Sequence, residues 1–203
     1  MSSSEIISQS EIDELISKPG KVKGAVFNTT EDYIRLRYGN KGIKLLENEM
    51  ANLGHPLNFE KINNLDWYPI GLRVLSFIAL KKAFSWGDKE LIDMGIASPK
   101  VSFLIKLILR YFISIETTFK EAPRYWKNHY TPETGRLETI EFNKKEKFVK
   151  LRIYDFKVHP LFCVFYLGYF KGIAQFGGVN IAIQETKCMF KGDPYHEFIG
   201  RWV

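Results

Sequence analysis

The chain has 203 residues and a net charge of +6, and 45% of its residues are hydrophobic, which suits one folded domain with its own core. Its lysines and acids are interspersed and no nucleic-acid-binding motif is present, so we expect no nucleic-acid partner. The chain has only two cysteines, too few for a disulfide scaffold. Its longest apolar run, residues 101–115, contains two basic residues, so we expect no membrane span. Because the sequence also shows no apolar leader, we expect a cytoplasmic protein.

A short amphipathic helix is predicted near the N-terminus. Ser8 and Glu11 have the spacing of a capping box. Ile12, Leu15 and Ile16 share one face because they have i, i+3, i+4 spacing, and a proline–glycine pair then ends the helix. A helix this short is not stable alone in water, so its apolar face must be covered either by a partner or by the chain's own domain.

We divide the chain into a flexible docking peptide at residues 1–20 and a folded domain at residues 21–203. The domain begins with predicted helices at residues 23–53, interrupted at a glycine. A longer helix is expected to open at residues 66–69, with a proline in its first turn, and residues 101–129 also have a helical pattern.

The pattern changes in the C-terminal third. Residues 136–143 and 147–156 alternate between apolar and polar side chains and predict a β-hairpin. Residues 159–176 predict an aromatic-rich helix, and residues 179–188 and 195–203 predict a second hairpin. The predicted fold class is therefore α+β: a helical N-terminal half followed by a β-β-α-β-β unit with a four-stranded antiparallel sheet.

This order resembles the superfamily of the haem nitric-oxide/oxygen-binding (H-NOX) domain, the 4-vinyl reductase domain and the TRAPP tethering subunits. Residues 23–39 look like the first helix of H-NOX domains. The segment from Cys188 through Gly192-Asp193-Pro194-Tyr195-His196-Glu197-Phe198 to Trp202 looks like the last hairpin of 4-vinyl reductase domains. The resemblance covers residues 22–203 and implies the same α+β fold.

The resemblance raises the question of haem. H-NOX domains hold haem iron through a histidine in the long helix before the sheet, and they grip its propionates with a Tyr-x-Ser-x-Arg motif. Residues 101–126 contain no histidine and the motif is absent, while His129 lies at a helix end where a surface or capping role is expected. Because haem iron needs an axial ligand, we expect no haem and no other organic cofactor.

The resemblance also implies a zinc site. Phenol-responsive activators of the 4-vinyl reductase type bind structural zinc through a cysteine followed later by Glu-x2-Cys-x7-Cys. Here Cys163 is followed by Glu185, Cys188 and, in place of the last cysteine, His196, which is also a competent zinc ligand. The alternative is that Cys163 is a small core residue.

Relatives of this fold bind small hydrophobic molecules between the helices and the sheet. The candidate lining residues are aromatic: Phe103, Tyr111, Phe112, Trp126, Phe162, Phe165, Tyr166, Tyr169 and Phe170. The alternative is that these side chains simply fill the core.

The N-terminal helix carries the most specific motif. Its matching residues are Ser8, Gln9, Glu11, Ile12, Asp13, Leu15 and Ile16. They resemble the N-terminal peptide of the flagellar switch protein FliM, which folds into a helix on the phosphorylated chemotaxis regulator CheY. The resemblance implies a CheY-like response regulator or a flagellar motor protein as partner, bound by helix-in-groove recognition.

No glycine-rich phosphate loop and no paired catalytic acids are present, so we expect a protein that is not an enzyme. The leading functional prediction is a signalling or flagellar and chemotaxis adaptor that binds its partner through the N-terminal helix and a small hydrophobic ligand in the folded domain. The alternatives are a small-molecule sensor or a structural assembly protein unrelated to chemotaxis, the latter forming a TRAPP-like homodimer, and after these a reductase.

Overall fold

Helices dominate the N-terminal part of the chain and strands the C-terminal part in the computed structural model, which describes residues 7–101 and 114–203. The helices are α1 (Gln9–Ser17), α2 (Ala25–Asn52), α3 (Ile70–Phe84), α4 (Asp88–Val101), α5 (Ile115–His129) and α6 (Leu161–Phe176). The strands are β1 (Lys21–Lys23), β2 (Trp67–Pro69), β3 (Arg136–Asn143), β4 (Phe148–Tyr154), β5 (Ile181–Lys187) and β6 (His196–Trp202). Within the described ranges, none of the helices is both long enough and apolar enough to cross a membrane.

The C-terminal sheet confirms the predicted fold class. It is antiparallel with the strand order β3-β4-β6-β5, so the two predicted hairpins lie side by side. In β4 the side chains of Val149, Leu151 and Ile153 are fully buried, while Lys150 and Arg152 lie on the other face. This alternation is what the period of an extended strand requires.

A second, two-stranded sheet corrects the helix predicted to open at residues 66–69. Trp67–Pro69 is strand β2, and it pairs with β1 so that Val22 lies opposite Tyr68. The residue before a proline is pushed towards extended backbone, so the helix begins only after Pro69. The two helices predicted at residues 23–53 are confirmed: they lie within α2 and are separated at Gly39, whose φ of 65° and ψ of −165° are not helical.

Helix α1 lies on the domain. The capping box is present: the Ser8 side chain accepts from the Glu11 N–H, and the Ser8 N–H donates to the Glu11 carboxylate at 2.7 Å. Ile12 and Leu15 are buried, and α1 packs against α3. A Cβ at Gly71 of α3 would lie 2.1 Å from the Leu15 carbonyl oxygen, so a glycine is required there. The division into a separate docking peptide and a domain stays a prediction.

Helices α4 and α6 cross at very short range. A Cβ at Gly168 would lie 2.0 Å from the carbonyl oxygen of Ile92, and one at Gly95 would lie 2.4 Å from the carbonyl oxygen of Phe165. The missing side chains let the two backbones touch, which fixes the position of α6 against the helical half. This position matters because α6 contributes to both sites described below.

Candidate metal centre and ligand pocket

Four potential metal ligands meet at one end of α6. Cys163 lies in the first turn of α6, Glu185 in β5, Cys188 just after β5, and His196 at the start of β6. One ligand atom from each residue lies within 4.8 Å of the corresponding atoms of the others. The structure therefore brings together all four residues that the sequence predicted for zinc.

Three of the six separations between these atoms are known individually, and they are close to the edges of a tetrahedral zinc site. The Cys163 and Cys188 sulfurs are 3.9 Å apart, the Cys163 sulfur is 3.5 Å from His196 Nδ1, and His196 Nδ1 is 3.0 Å from Glu185 Oε1. Usual zinc bond lengths at tetrahedral angles give about 3.8, 3.6 and 3.3 Å for these three edges. The two sulfurs are too far apart for a disulfide, and both cysteines are free.

The surroundings support a bound ion. With a metal at Nδ1, the other ring nitrogen of His196 carries the proton, and it lies 3.3 Å from the Phe156 carbonyl oxygen, which can accept it. Such a carbonyl partner orients a metal-binding imidazole. The N–H of Cys188 donates to the Asp193 carboxylate at 2.8 Å, which fixes the turn that presents the sulfur.

The protonation of the cluster suits a divalent cation. Burial, followed by the negative charge of Glu185, raises the pKa of the Cys163 thiol, so this thiol keeps its proton unless a metal replaces it. Burial alone would raise the pKa of Glu185, but hydrogen bonds with His196 and Cys163 outweigh it and lower that pKa. Four protein ligands leave no open coordination position, which is the arrangement of a structural site rather than a catalytic one.

The second site is a cavity of about 90 Å³ lined mainly by α2, α5 and α6, with single residues from α3, α4 and β3. Eight of its eighteen lining residues are aromatic: Phe119, Tyr125, Trp126, Tyr130, Phe165, Tyr166, Tyr169 and Phe170. Five of these were predicted from the sequence: Trp126, Phe165, Tyr166, Tyr169 and Phe170. Phe162 lies beside the cavity, with its ring stacked 5.8 Å from that of Tyr166, and Phe103, Tyr111 and Phe112 lie outside the described residues.

Arg73 is a cavity residue that the sequence analysis missed. Its side chain is 3% exposed, and burial lowers the pKa of its guanidinium to about 10. Nη1 donates to Thr30 Oγ1 at 2.6 Å, and the group lies 4.3 Å from the centre of the Phe77 ring. The available signal was a lone arginine in the otherwise apolar first half of α3.

His129 is the second missed cavity residue. It is the last residue of α5, and its Nδ1 lies 2.9 Å from the Tyr125 carbonyl oxygen one turn earlier. Burial lowers the pKa of the ring, so it is neutral near pH 7. With Nδ1 as the donor to the Tyr125 carbonyl, Nε2 carries the lone pair.

Comparison with known proteins shows the fold. No family model matches the chain, and no curated protein matches it. An H-NOX protein from S. oneidensis in the Fe(II)NO ligation state has 15% identity and a TM-score of 0.65, covering 89% of this chain and 99% of that chain. An oxygen-binding H-NOX domain related to soluble guanylate cyclases, in its oxygen complex, has 14% identity and a TM-score of 0.64, covering 89% and 94%.

A third structure comes from work on the function of heme distortion in the H-NOX family. It has 14% identity and a TM-score of 0.63, and the similarity covers 89% of this chain and 93% of that chain. These similarities establish an H-NOX-like fold, as the sequence resemblance implied. The resemblances to 4-vinyl reductase domains, to TRAPP subunits and to the FliM peptide stay predictions.

The expectation that the protein binds no haem is contradicted by these neighbours. They include an H-NOX protein in the Fe(II)NO ligation state, an H-NOX domain in its oxygen complex and an H-NOX structure used to probe heme distortion. The sequence argument looked for a histidine only in residues 101–126. The helix that precedes the sheet, α5, extends to His129, and this residue lines the cavity. A neutral imidazole whose Nε2 carries no proton is a suitable axial ligand. The cavity of about 90 Å³, however, has the size of a single aromatic ring, so haem would enter only if the surrounding helices moved apart.

Proposed function

We propose that this chain is a small-molecule-binding sensor domain, with its ligand or cofactor in the cavity between α3, α5 and α6 and a structural zinc ion at the end of α6. The observation that carries the proposal is the cavity itself. Its wall of aromatic rings is interrupted by two strongly interacting polar groups, the Arg73 guanidinium and the His129 imidazole. A mostly apolar pocket with a few directed polar groups is the usual form of a small-molecule site.

Haem is the cofactor to which the structural neighbours point. His129 would hold it through Nε2, and haem bound there would supply an iron centre for a diatomic gas. The protein's own contribution is to orient the imidazole through the Tyr125 carbonyl and to exclude water with the surrounding aromatic wall.

Haem titration of the purified full-length protein tests this cofactor. We expect a Soret band that saturates at one haem per chain, and we expect His129→Ala to remove its ligation signature. His55→Ala is the matched control, because His55 lies outside the cavity lining that the structure describes. A Soret spectrum identical in wild type and His129→Ala would show that His129 is not the ligand. Failure of haem to bind either protein would exclude haem and leave the cavity to smaller molecules.

The adaptor function predicted from the N-terminal motif is a second candidate. The observation that favours it is the exposed acidic edge of α1, formed by Glu11, Asp13 and Glu14. A partner that took up the apolar face of α1 would have to displace it from α3, where Ile12 and Leu15 are buried. Docking would therefore compete with self-packing, and the sensor function is the better supported of the two.

Fluorescence anisotropy of a labelled peptide of residues 2–18 tests the adaptor function. The peptide is titrated with a CheY-like receiver, with and without beryllofluoride, and the intact protein is titrated in parallel. Activation-dependent binding of the peptide, weaker for the intact chain, is expected if α1 is shared between α3 and a partner. Absence of binding to the peptide in both states would assign α1 to the fold alone.

A further inference from the structure

The guanidinium of Arg73 is buried without a counter-ion. Its hydrogen bonds run from Nη1 to two neutral hydroxyls, at 2.6 Å to Thr30 and 3.4 Å to Ser76. In residues 7–101 and 114–203, Arg73 forms no ion pair. The remaining residues contain a single acid, Glu5, so residues 102–113 have no carboxylate to offer. A buried charge is costly unless it is paired, which makes this position unusual.

The groups around Arg73 do not neutralise it. The titratable groups that interact with it are the Tyr130 and Tyr166 hydroxyls. Burial raises the pKa of both tyrosines, so both are neutral near pH 7 and supply no negative charge. Tyr166 donates to the Tyr130 oxygen at 2.9 Å, which leaves the Tyr130 proton available for another acceptor. Arg73 and Tyr130 both line the cavity, so the described part of its wall presents a cation and a hydroxyl donor but no anion of its own.

We propose that Arg73 is an anion anchor and that the cavity takes a ligand with one carboxylate on an aromatic or otherwise apolar body. The inference rests on the proposed sensor function, because it names the ligand class of the same cavity. A guanidinium uses several N–H groups to bind a carboxylate, and the hydroxyls of Thr30 and Ser76 engage Nη1 alone. The cavity of about 90 Å³ has room for several water-sized positions, which suits a ligand the size of one aromatic ring.

The anchor differs from the Tyr-x-Ser-x-Arg motif, which this sequence lacks. Arg73 instead lies on α3, in the helical half of the chain. The same chemistry could serve a free aryl carboxylate or one propionate of haem, and the experiment has an arm for each source.

The test compares benzoate with benzamide, its neutral isostere, on the full-length protein. Binding is followed by calorimetry and by the fluorescence of Trp126, which lines the cavity. We expect benzoate to bind about ten- to hundredfold more tightly than benzamide, as a charge-assisted hydrogen bond to a buried group predicts. Arg73→Met should remove this preference, and Arg73→Lys should keep part of it. Arg124→Met, at an exposed position on α5, should leave it unchanged.

The outcomes separate the anchor from the cavity. Equal affinity for benzoate and benzamide in the wild-type protein would overturn the anchor and leave the sensor function intact, and this comparison does not depend on how a variant folds. Unchanged benzoate affinity in a folded Arg73→Met variant would also overturn it. Failure of benzoate, benzamide and haem to bind would overturn both the anchor and the proposed function.

The haem arm identifies the source of the carboxylate. Haem and haem dimethyl ester are titrated into wild type and Arg73→Met. A preference for the free acid that Arg73→Met removes, with no binding of benzoate, assigns the anchor to a propionate. A benzoate preference with no difference between the two haems assigns it to a free carboxylate. Either result supports Arg73 as the anion-binding residue.

Discussion

The zinc ion proposed for the cluster at the end of α6 is expected to stabilise the domain strongly, so that removing it lowers the free energy of unfolding. The perturbation is chelation of the purified protein or the substitution Cys188→Ser. Three separations among the sulfur, nitrogen and oxygen atoms are already close to those of a tetrahedral site, and Cys163, Cys188 and His196 are buried. Binding should therefore require little rearrangement, and most of its free energy should appear as stability of the folded state.

The size of the effect follows from mass action. Zinc present at a thousand times its dissociation constant stabilises the folded state by about 4 kcal/mol. For a domain of this length, 1 kcal/mol corresponds to about 2–4 °C in the thermal midpoint. We therefore expect chelation to lower the midpoint by about 8–16 °C, and readdition of zinc to restore it.

The assay combines metal analysis with thermal unfolding. Elemental mass spectrometry should find one zinc per chain in the wild-type protein and much less in Cys188→Ser. Glu185→Gln should also weaken binding, because the neutral amide is a poorer ligand, whereas Glu138→Gln on the exposed side of β3 is the matched control and should not. Metal-free wild-type protein whose midpoint does not respond to zinc or to chelator would refute the reasoning.

Three further predictions concern the fold. Leu15→Ala should lower the free energy of unfolding in urea by about 2 kcal/mol if α1 packs on α3, where Leu15 is buried. An unchanged free energy of unfolding would show that α1 is free in solution. Gly168→Ala should lower the free energy of unfolding by about 1–3 kcal/mol, because its methyl group would clash with the α4 backbone. Gly87→Ala is the control: its Cβ meets only a carboxylate at 3.4 Å, so the free energy of unfolding should change by no more than about 0.5 kcal/mol. Equal effects of the two substitutions would count against the close crossing. Burial lowers the pKa of His129 and His159, so the stability that they contribute is present above the unfolded pKa of about 6.5 and is lost as the pH falls below it. Replacing both histidines by glutamine should therefore flatten the dependence of the urea midpoint on pH. An unchanged slope would contradict this prediction.

The sequence predicted the sheet well because its signal is local. The alternation of Val149, Leu151 and Ile153 with Lys150 and Arg152 defines the buried face of β4 without any knowledge of its neighbours. Strands β1 and β2 were missed because each has only three residues, and their pairing joins segments that are distant along the chain. A strand this short has too few positions to show a period.

The two candidate sites were predictable to different degrees. The metal ligands were found because cysteine, glutamate and histidine are chemically distinctive and their spacing resembles a known pattern, although only the fold brings Cys163 on α6 to the strand residues. The cavity was harder to predict. Its aromatic residues could be named, but the burial of Arg73 depends on how α3 packs against α2 and α6. A lone arginine in an apolar helix marks the position without showing whether the guanidinium is buried or reaches water.

Helix α6 connects the two sites physically. Cys163 in its first turn lies beside Glu185, Cys188 and His196 of the β5–β6 hairpin, which we propose to share a zinc ion with it. Within the next turn, Phe165 and Tyr166 form part of the cavity wall. The metal should therefore keep the first turns of α6 in place and so preserve the shape of the cavity before a ligand arrives. Chelation below the unfolding temperature should then weaken benzoate binding in the wild-type protein, and readdition of zinc should restore it. Equal benzoate affinity in the zinc-loaded and chelated proteins would show that the close crossing of α4 and α6 is sufficient to hold the cavity.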